Sequence, residues 1–175
     1  MALLVVTGPP GAGKSTVARI MAREFDPSVL VDGDAFFGFV ECGFIEPWLD
    51  GSHEQNDVVI RAAAAAAGRF AASGYTTVYD GVLGPWFLPT FMEATGLASL
   101  HYALLMPSVH DCVERVMTRR DHRFTNEAAT RQMHDQFARA EIDARHVLLH
   151  PPDDANDVAA EVLARFRDGS LVYET

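Results

Sequence analysis

Gly8, Gly11, Gly13, Lys14 and Ser15 stand in the spacing G-x-x-x-x-G-K-S, a pattern whose chemistry is the holding of phosphate. Glycines open backbone angles closed to other residues, so several N–H groups can converge on anionic oxygens. Lys14 is placed to reach the β- and γ-phosphates of a nucleoside triphosphate, and the Ser15 hydroxyl to ligate Mg²⁺. Lys14 is also the only lysine of the chain; the other 13 of its 14 basic residues are arginines. A composition that otherwise avoids lysine keeps one where a compact ammonium on a flexible stem is needed. Gly8, Gly11, Ala12, Gly13, Lys14, Ser15 and Thr16 are therefore the candidate nucleotide-binding residues.

Carboxylates recur where a phosphoryl-transfer site would need them. Asp32-Gly33-Asp34 follows a short apolar run, and Tyr79-Asp80-Gly81 ends another. Asp34 is assigned the proton of an attacking hydroxyl and Asp32 the support of the metal through water, although the two roles can be exchanged. Alternation puts them on one side if the strand continues that far. Asp32 has a second reading, as the cap of the helix that follows. Asp80, at a buried strand end, is expected at Mg²⁺ or its water shell. Arg115, Arg119, Arg120 and Arg123 crowd into nine residues of an acidic chain. They read either as a solvated helix end or as a lid over about 119–126. In the lid reading Arg115 reaches the nucleotide, and Arg119 and Arg123 stabilise charge on the transferred group. The aromatic stretch 35–53 and the loop after Asp80 suggest an acceptor pocket with Phe37, Trp48, Gly81 and Trp86 in its wall.

The elements that must position these groups are legible from periodicity. Ala2 to Thr7 is an apolar run suited to a strand buried on both faces, and Thr16 to Phe25 carries apolar residues at helical spacing. Strands are expected at 28–31, 76–81, 100–106 and 146–149, with helices at 54–73, after Ser108, at 126–140 and at 156–167. Ser108 and Asp111 are spaced as a capping box, and Thr125 is expected to cap the next helix. Residues 170–175 receive no assignment. In an open parallel sheet ligands lie beyond the carboxyl ends of the strands, which gathers Asp34 and Asp80 beside the glycine loop.

At 175 residues one domain, 1–175, is expected. A net charge of −10 disfavours a nucleic-acid backbone as partner. No apolar run approaches a membrane span, and two cysteines do not suggest a disulfide framework, so the cytoplasm is the expected location.

With those residues in place the chain resembles the small P-loop kinases, the group of shikimate kinase, gluconate kinase, chloramphenicol phosphotransferase and the zeta-toxin-like kinases. The resemblance rests on Gly8 to Ser15, Asp32-Gly33-Asp34, Tyr79-Asp80-Gly81 and the arginines from Arg115 to Arg123. It implies an α/β fold of the P-loop NTPase class, a three-layer sandwich with a five-stranded parallel sheet in order 2-3-1-4-5. It also implies ATP and Mg²⁺ as donor and cofactor, and a small hydroxyl compound as acceptor. The chain departs from gluconate kinases across 36–53, where Gly43 to Trp48 is more similar to uncharacterised proteins near that family. It departs from shikimate kinases at Gly81 to Trp86, which has no arginines and no glycine pair. The aromatic, lysine-free pocket region suggests an acceptor with apolar surface, such as an antibiotic or nucleoside-like compound. A nucleotide-dependent switch with slow ATPase activity and a protein partner is the alternative, and a cavity beside Asp34 lined by Phe36, Trp48 or Trp86 would speak against it.

Overall fold

A computed structural model describes residues 2–118 and 124–174. The first strand, β1 (Leu3–Thr7), is buried along its whole length at the centre of the sheet. Its side chains alternate between two apolar layers, as a pleated strand requires. Leu3 and Val5 face a core built with α2 (His53–Ala72) and α3 (Leu88–Thr95), while Leu4 and Val6 face α1 (Lys14–Arg23) and α6 (Ala155–Arg167).

Strands β2 (Ser28–Asp32), β3 (Thr76–Asp80), β4 (Ser99–Met106) and β5 (Val147–Leu149) complete a parallel sheet in order β2-β3-β1-β4-β5. The sheet and its order agree with the expectation from the sequence. A sixth strand, β6 (Val172–Glu174), lies antiparallel to the start of β4 and gives the unassigned C-terminal residues a place. Leu171, just before it, is fully buried on the α1–α6 side.

Other differences are local. Helix α3 was not anticipated; Pro89 in its first turn and Gly96 in the left-handed conformation at its end are its punctuation. The helix after β4, α4 (Val109–Thr118), begins with the expected capping box. The Ser108 hydroxyl accepts from the Asp111 N–H at 3.1 Å and donates to the Asp111 carboxylate at 2.7 Å. The next helix, α5 (Glu127–Arg139), is capped by Asn126 rather than Thr125, because the Asn126 side-chain oxygen accepts from the Ala129 N–H at 3.0 Å. His146 belongs to a single 3₁₀ turn (Ala144–His146) ahead of β5.

The alanines of α2 serve a close crossing. Ala63, Ala64 and Ala67 are buried in the core with Leu3 and Tyr79, and a Cβ on Gly68 would lie 2.1 Å from the Thr95 carbonyl of α3. Among the described residues no helix is long and apolar enough to cross a membrane.

Candidate functional site

The loop between β1 and α1 is drawn tightly onto its surroundings. Gly8 and Gly11 have positive φ, and a Cβ at either would meet backbone, the Leu105 carbonyl at 2.4 Å or the Cys112 carbonyl at 2.3 Å. Gly13 sits in the left-handed region at the start of α1 (φ 89°), which turns the chain into the helix. The N–H groups of Lys14 and Ser15 open that helix and have no intrahelical acceptor, so they and the positive end of the helix dipole are available to an anion. Ala12 is a buried residue of the loop, and Thr16 lies on the first turn of α1 with its side chain exposed.

Strand β2 ends at Asp32, so Asp34 does not reach the site by strand alternation as the sequence suggested. Gly33 turns the chain instead. Its N–H donates to the Asp80 carbonyl at 2.7 Å, and its Cα lies so flat on the Tyr79 ring that a Cβ would come within 2.1 Å of the Tyr79 hydroxyl. Asp34 then opens a 3₁₀ helix, Asp34–Phe39. Its Oδ1 accepts from the Val82 N–H at 3.0 Å, and its Oδ2 lies 3.9 Å from Lys14 Nζ. Lys14 is only 8% exposed, whereas Asp34 is half exposed and faces solvent space in front of it. Asp32, one residue before the N-cap Gly33, satisfies the first turn of that helix: its Oδ1 accepts from the Ala35 N–H at 3.2 Å.

Asp80 is paired in register with Asp32 across β2 and β3 and is 7% exposed. Burial holds its carboxyl above the usual carboxylate range; Lys14 and the Ser15 hydroxyl pull it partway back, and Asp34 and Asp32 raise it further. Its Oδ1 is buried without a hydrogen-bond partner. An orphaned, electron-rich oxygen beside the Ser15 hydroxyl fits a divalent cation, so these two residues fit Mg²⁺.

In front of Lys14 and Asp34 opens a cavity of about 1300 Å³. Pro10, Gly11, Lys14 and Ser15 close its phosphate-loop end, and Phe37, Trp48 and Trp86 stand in its wall. Phe36 instead packs on the core, and Gly81 lies against the Tyr79 ring rather than in the cavity. Arg115 also stays out of the cavity; its guanidinium pairs with Asp153 at 3.2 Å, tying α4 to the turn before α6. Arg61 is turned away as well, joined to Asp57 and to Glu93 of α3. Arg119 and Arg123 lie outside the described residues.

Several residues that shape the cavity were not foreseen. Helix α5 forms one wall, with Met133 and Phe137 facing it and Trp86 packed on Phe137 at 5.2 Å between ring centres. Phe124 meets Trp48 edge to face at 5.0 Å, and Gln132 donates to the Trp48 carbonyl at 3.1 Å. The strap that carries Trp48 is fastened from below by α2. Gln55 both accepts from the Ile45 N–H and donates to its carbonyl (2.8 and 2.6 Å), and the Ser52 hydroxyl and Asn56 amide both donate to the Pro47 carbonyl (2.9 and 2.8 Å). On the other side Thr7 and Tyr102 pin the loop after β3. The Thr7 hydroxyl bonds both the N–H and the carbonyl of Leu83, and the Tyr102 hydroxyl donates to the same carbonyl at 2.8 Å. Gln55 and Asn56 lie one helical turn past a loop rich in Pro and Gly, which is the one sequence signal that pointed toward such fastening.

No protein-family model matches the chain, and no curated protein matches it in sequence. Among solved structures it is similar to a sugar kinase from Janibacter sp. HTCC2649, with 19% identity, 95% of each chain covered and a TM-score of 0.73. It is similar to an APS kinase from Mycobacterium tuberculosis, solved with AMPPNP and APS, at 17% identity over 95% of this chain and 97% of the other, with a TM-score of 0.69. A gluconokinase from Sinorhizobium meliloti 1021 shares 20% identity over 97% and 93% of the two chains, with a TM-score of 0.64. These likenesses show that the chain has the fold of the small P-loop kinases.

Proposed function

We propose that this chain, folded as the small P-loop kinases are, transfers the γ-phosphoryl group of ATP to a hydroxyl of a small organic acceptor. The observation that carries the reading is that one cavity contains both the phosphate-loop end, at Lys14 and Ser15, and the carboxylate of Asp34, with room beside them for an acceptor.

The residues divide the chemistry as follows. The loop N–H groups and the α1 N-terminus hold the phosphate chain, and Lys14 neutralises charge on the β- and γ-oxygens. Asp34, steadied by the Val82 N–H, accepts the proton of the acceptor hydroxyl. The hydroxyl oxygen forms a new bond to the γ-phosphorus as the bond from that phosphorus to the β–γ bridging oxygen breaks, and ADP leaves with the electron pair. Ser15 and Asp80 would hold Mg²⁺, whose contribution there is to offset phosphate charge. Arg119 and Arg123 are assigned to the transferring group, and Arg115 to the nucleotide once it is released from Asp153.

The test is ATP-dependent phosphorylation across sugars, sugar acids, nucleosides and hydroxyl-bearing antibiotics, read by mass spectrometry of the acceptor and by ADP release. The expected result is one acceptor class gaining a phosphoryl group, with Lys14→Ala inactive. ATP turnover that no acceptor stimulates, but a defined protein partner does, would sink this reading in favour of a nucleotide switch.

A further inference from the structure

The cavity wall has a charge that the transfer reaction does not require. Glu46, Asp50 and Glu141 line it in addition to Asp34, and among the described residues these three form no ion pair. The described wall has only two cations. Lys14 is committed to the phosphate end, and Arg139 is held by Asp135 at 3.0 Å. Phe37, Phe44, Trp48 and Trp86 line the same cavity. Ring faces attract cations, and carboxylates do so more strongly still.

An acceptor bearing a carboxylate, sulfate or phosphate would need a guanidinium fork or an ammonium on this wall. Among the described residues of the wall it would meet three like charges instead, a repulsion that acts as selection against it. Glu46 and Asp50 are also not free to swing away with their backbone. The strap that carries them is fixed at Ile45, Pro47 and Trp48 by Gln55, Asn56, Ser52 and Gln132. Their backbone is therefore set before the acceptor arrives, which lowers the ordering that binding must offset.

We infer that the acceptor is a hydroxyl compound with an apolar ring or alkyl body and a protonated amine. Its body lies on the aromatic faces and its ammonium toward Glu46, Asp50 and Glu141. The inference rests on the phosphotransferase reading for what happens to the hydroxyl, but not for what the cavity binds.

Both tryptophans of the chain line this cavity, so intrinsic fluorescence reports binding there without any turnover. Three probes share a benzyl body and a hydroxyl and differ in charge: phenylalaninol, 3-phenylpropane-1,2-diol and 3-phenyllactate. In fluorescence titrations of the nucleotide-free protein, phenylalaninol is expected to bind at least about tenfold more tightly than 3-phenyllactate, with the diol between, as a few screened charge contacts would give. Added salt should narrow the gap, and so should the double variant Glu46→Gln, Glu141→Gln, by at least about threefold. Equal or tighter binding of 3-phenyllactate, a preference that the variant leaves unchanged, or no binding of any probe at millimolar concentration would each overturn the inference. A charge preference in binding with no phosphoryl transfer from ATP to any amino alcohol would leave the inference standing and count against the enzymatic reading instead.

Discussion

Asp32 and Asp34 are two residues apart and of one chemistry, yet the fold gives them different work. The carboxylate of Asp32 is occupied by the Ala35 N–H, a cap that an asparagine oxygen maintains equally well. Asp34 directs an oxygen toward Lys14 at the mouth of the cavity. Asp34→Asn should therefore lower kcat for phosphoryl transfer by about 10²–10⁴-fold, the span of a lost general base. Asp32→Asn should change it by less than about threefold, and steady-state rates on the same acceptor compare the two. Comparable losses in both variants would assign the base to neither alone.

Asp80 makes a different prediction, one about stability. Its carboxyl titrates above its ordinary value of 3.8 because burial penalises the charge. Between that value and the raised one the folded state holds the proton more firmly than the unfolded state does. The nucleotide-free protein therefore loses stability as pH rises through that window. Asp80→Asn should flatten this slope and raise the melting temperature of the nucleotide-free protein at neutral pH. It should also cost at least about tenfold in Mg²⁺-dependent turnover. A lower melting temperature in the variant would mean that Asp80 is satisfied within the fold.

At the scale of elements, the crossing of α2 and α3 sets helix propensity against packing. Alanine is favoured over glycine inside a helix by about 1 kcal/mol. At Gly68, however, the added Cβ would sit 2.1 Å from the Thr95 carbonyl, and backbone cannot swing aside as a side chain can. Forcing the two helices apart typically costs about 1–3 kcal/mol, so the clash should win. Gly68→Ala is expected to lower the melting temperature by a few degrees, and a rise would show that α3 yields easily.

The same scale explains what could be read beforehand. The β1 run and the glycine loop were legible because burial on both faces and phosphate binding each demand residue types that little else demands. Helix α5 was legible as a helix but not as a cavity wall. Met133 and Phe137 give an apolar stripe whether they face a sheet or an empty space. Trp48 and Trp86 were identifiable as candidates, while Thr7 and Tyr102 were not. Their hydroxyls meet Leu83 across 76 and 19 residues of sequence, and no local pattern encodes a partner so distant. Whether the strand continued to Asp34 was not legible either, because the Tyr79 ring, pressed on Gly33 where the chain turns, is 46 residues away in sequence.

For the whole molecule, the acid response should include two histidines, His101 in β4 and His146 in the turn ahead of β5. His146 is buried against the Tyr102 carbonyl, and His101 packs at a tilt on Phe166 with its Nδ1 unpartnered. Burial depresses both below the ordinary 6.5. The unfolded chain takes up these protons more readily, so the stability they contribute is complete above pH 6.5 and is lost as pH falls through the depressed values. The melting temperature should fall between pH 7.5 and 5.5, and His101→Phe, which retains a ring on Phe166, should shrink that fall. The effect is opposite in sign to that of Asp80, so the variants separate the two contributions where the wild-type curve adds them. A His101→Phe slope equal to that of the wild type would remove His101 from the account and leave His146, of these two, to carry the fall.

The strand at the middle of the sheet is also the first one to be made. β1 takes its two neighbours from β3 and β4, so the ribosome must add roughly a hundred residues after Thr7 before both flanks exist. At about 5–20 residues per second that is on the order of 5–20 s. Throughout that interval Leu3-Leu4-Val5-Val6 is an apolar segment with two unsatisfied edges, the kind of surface that a chaperone or another nascent chain captures. Nucleotide has no site to bind during that time either, because the glycine loop hangs from the end of the waiting strand. The heart of the sheet is thus the part left longest without its partners during synthesis, before any ligand is able to stabilise it.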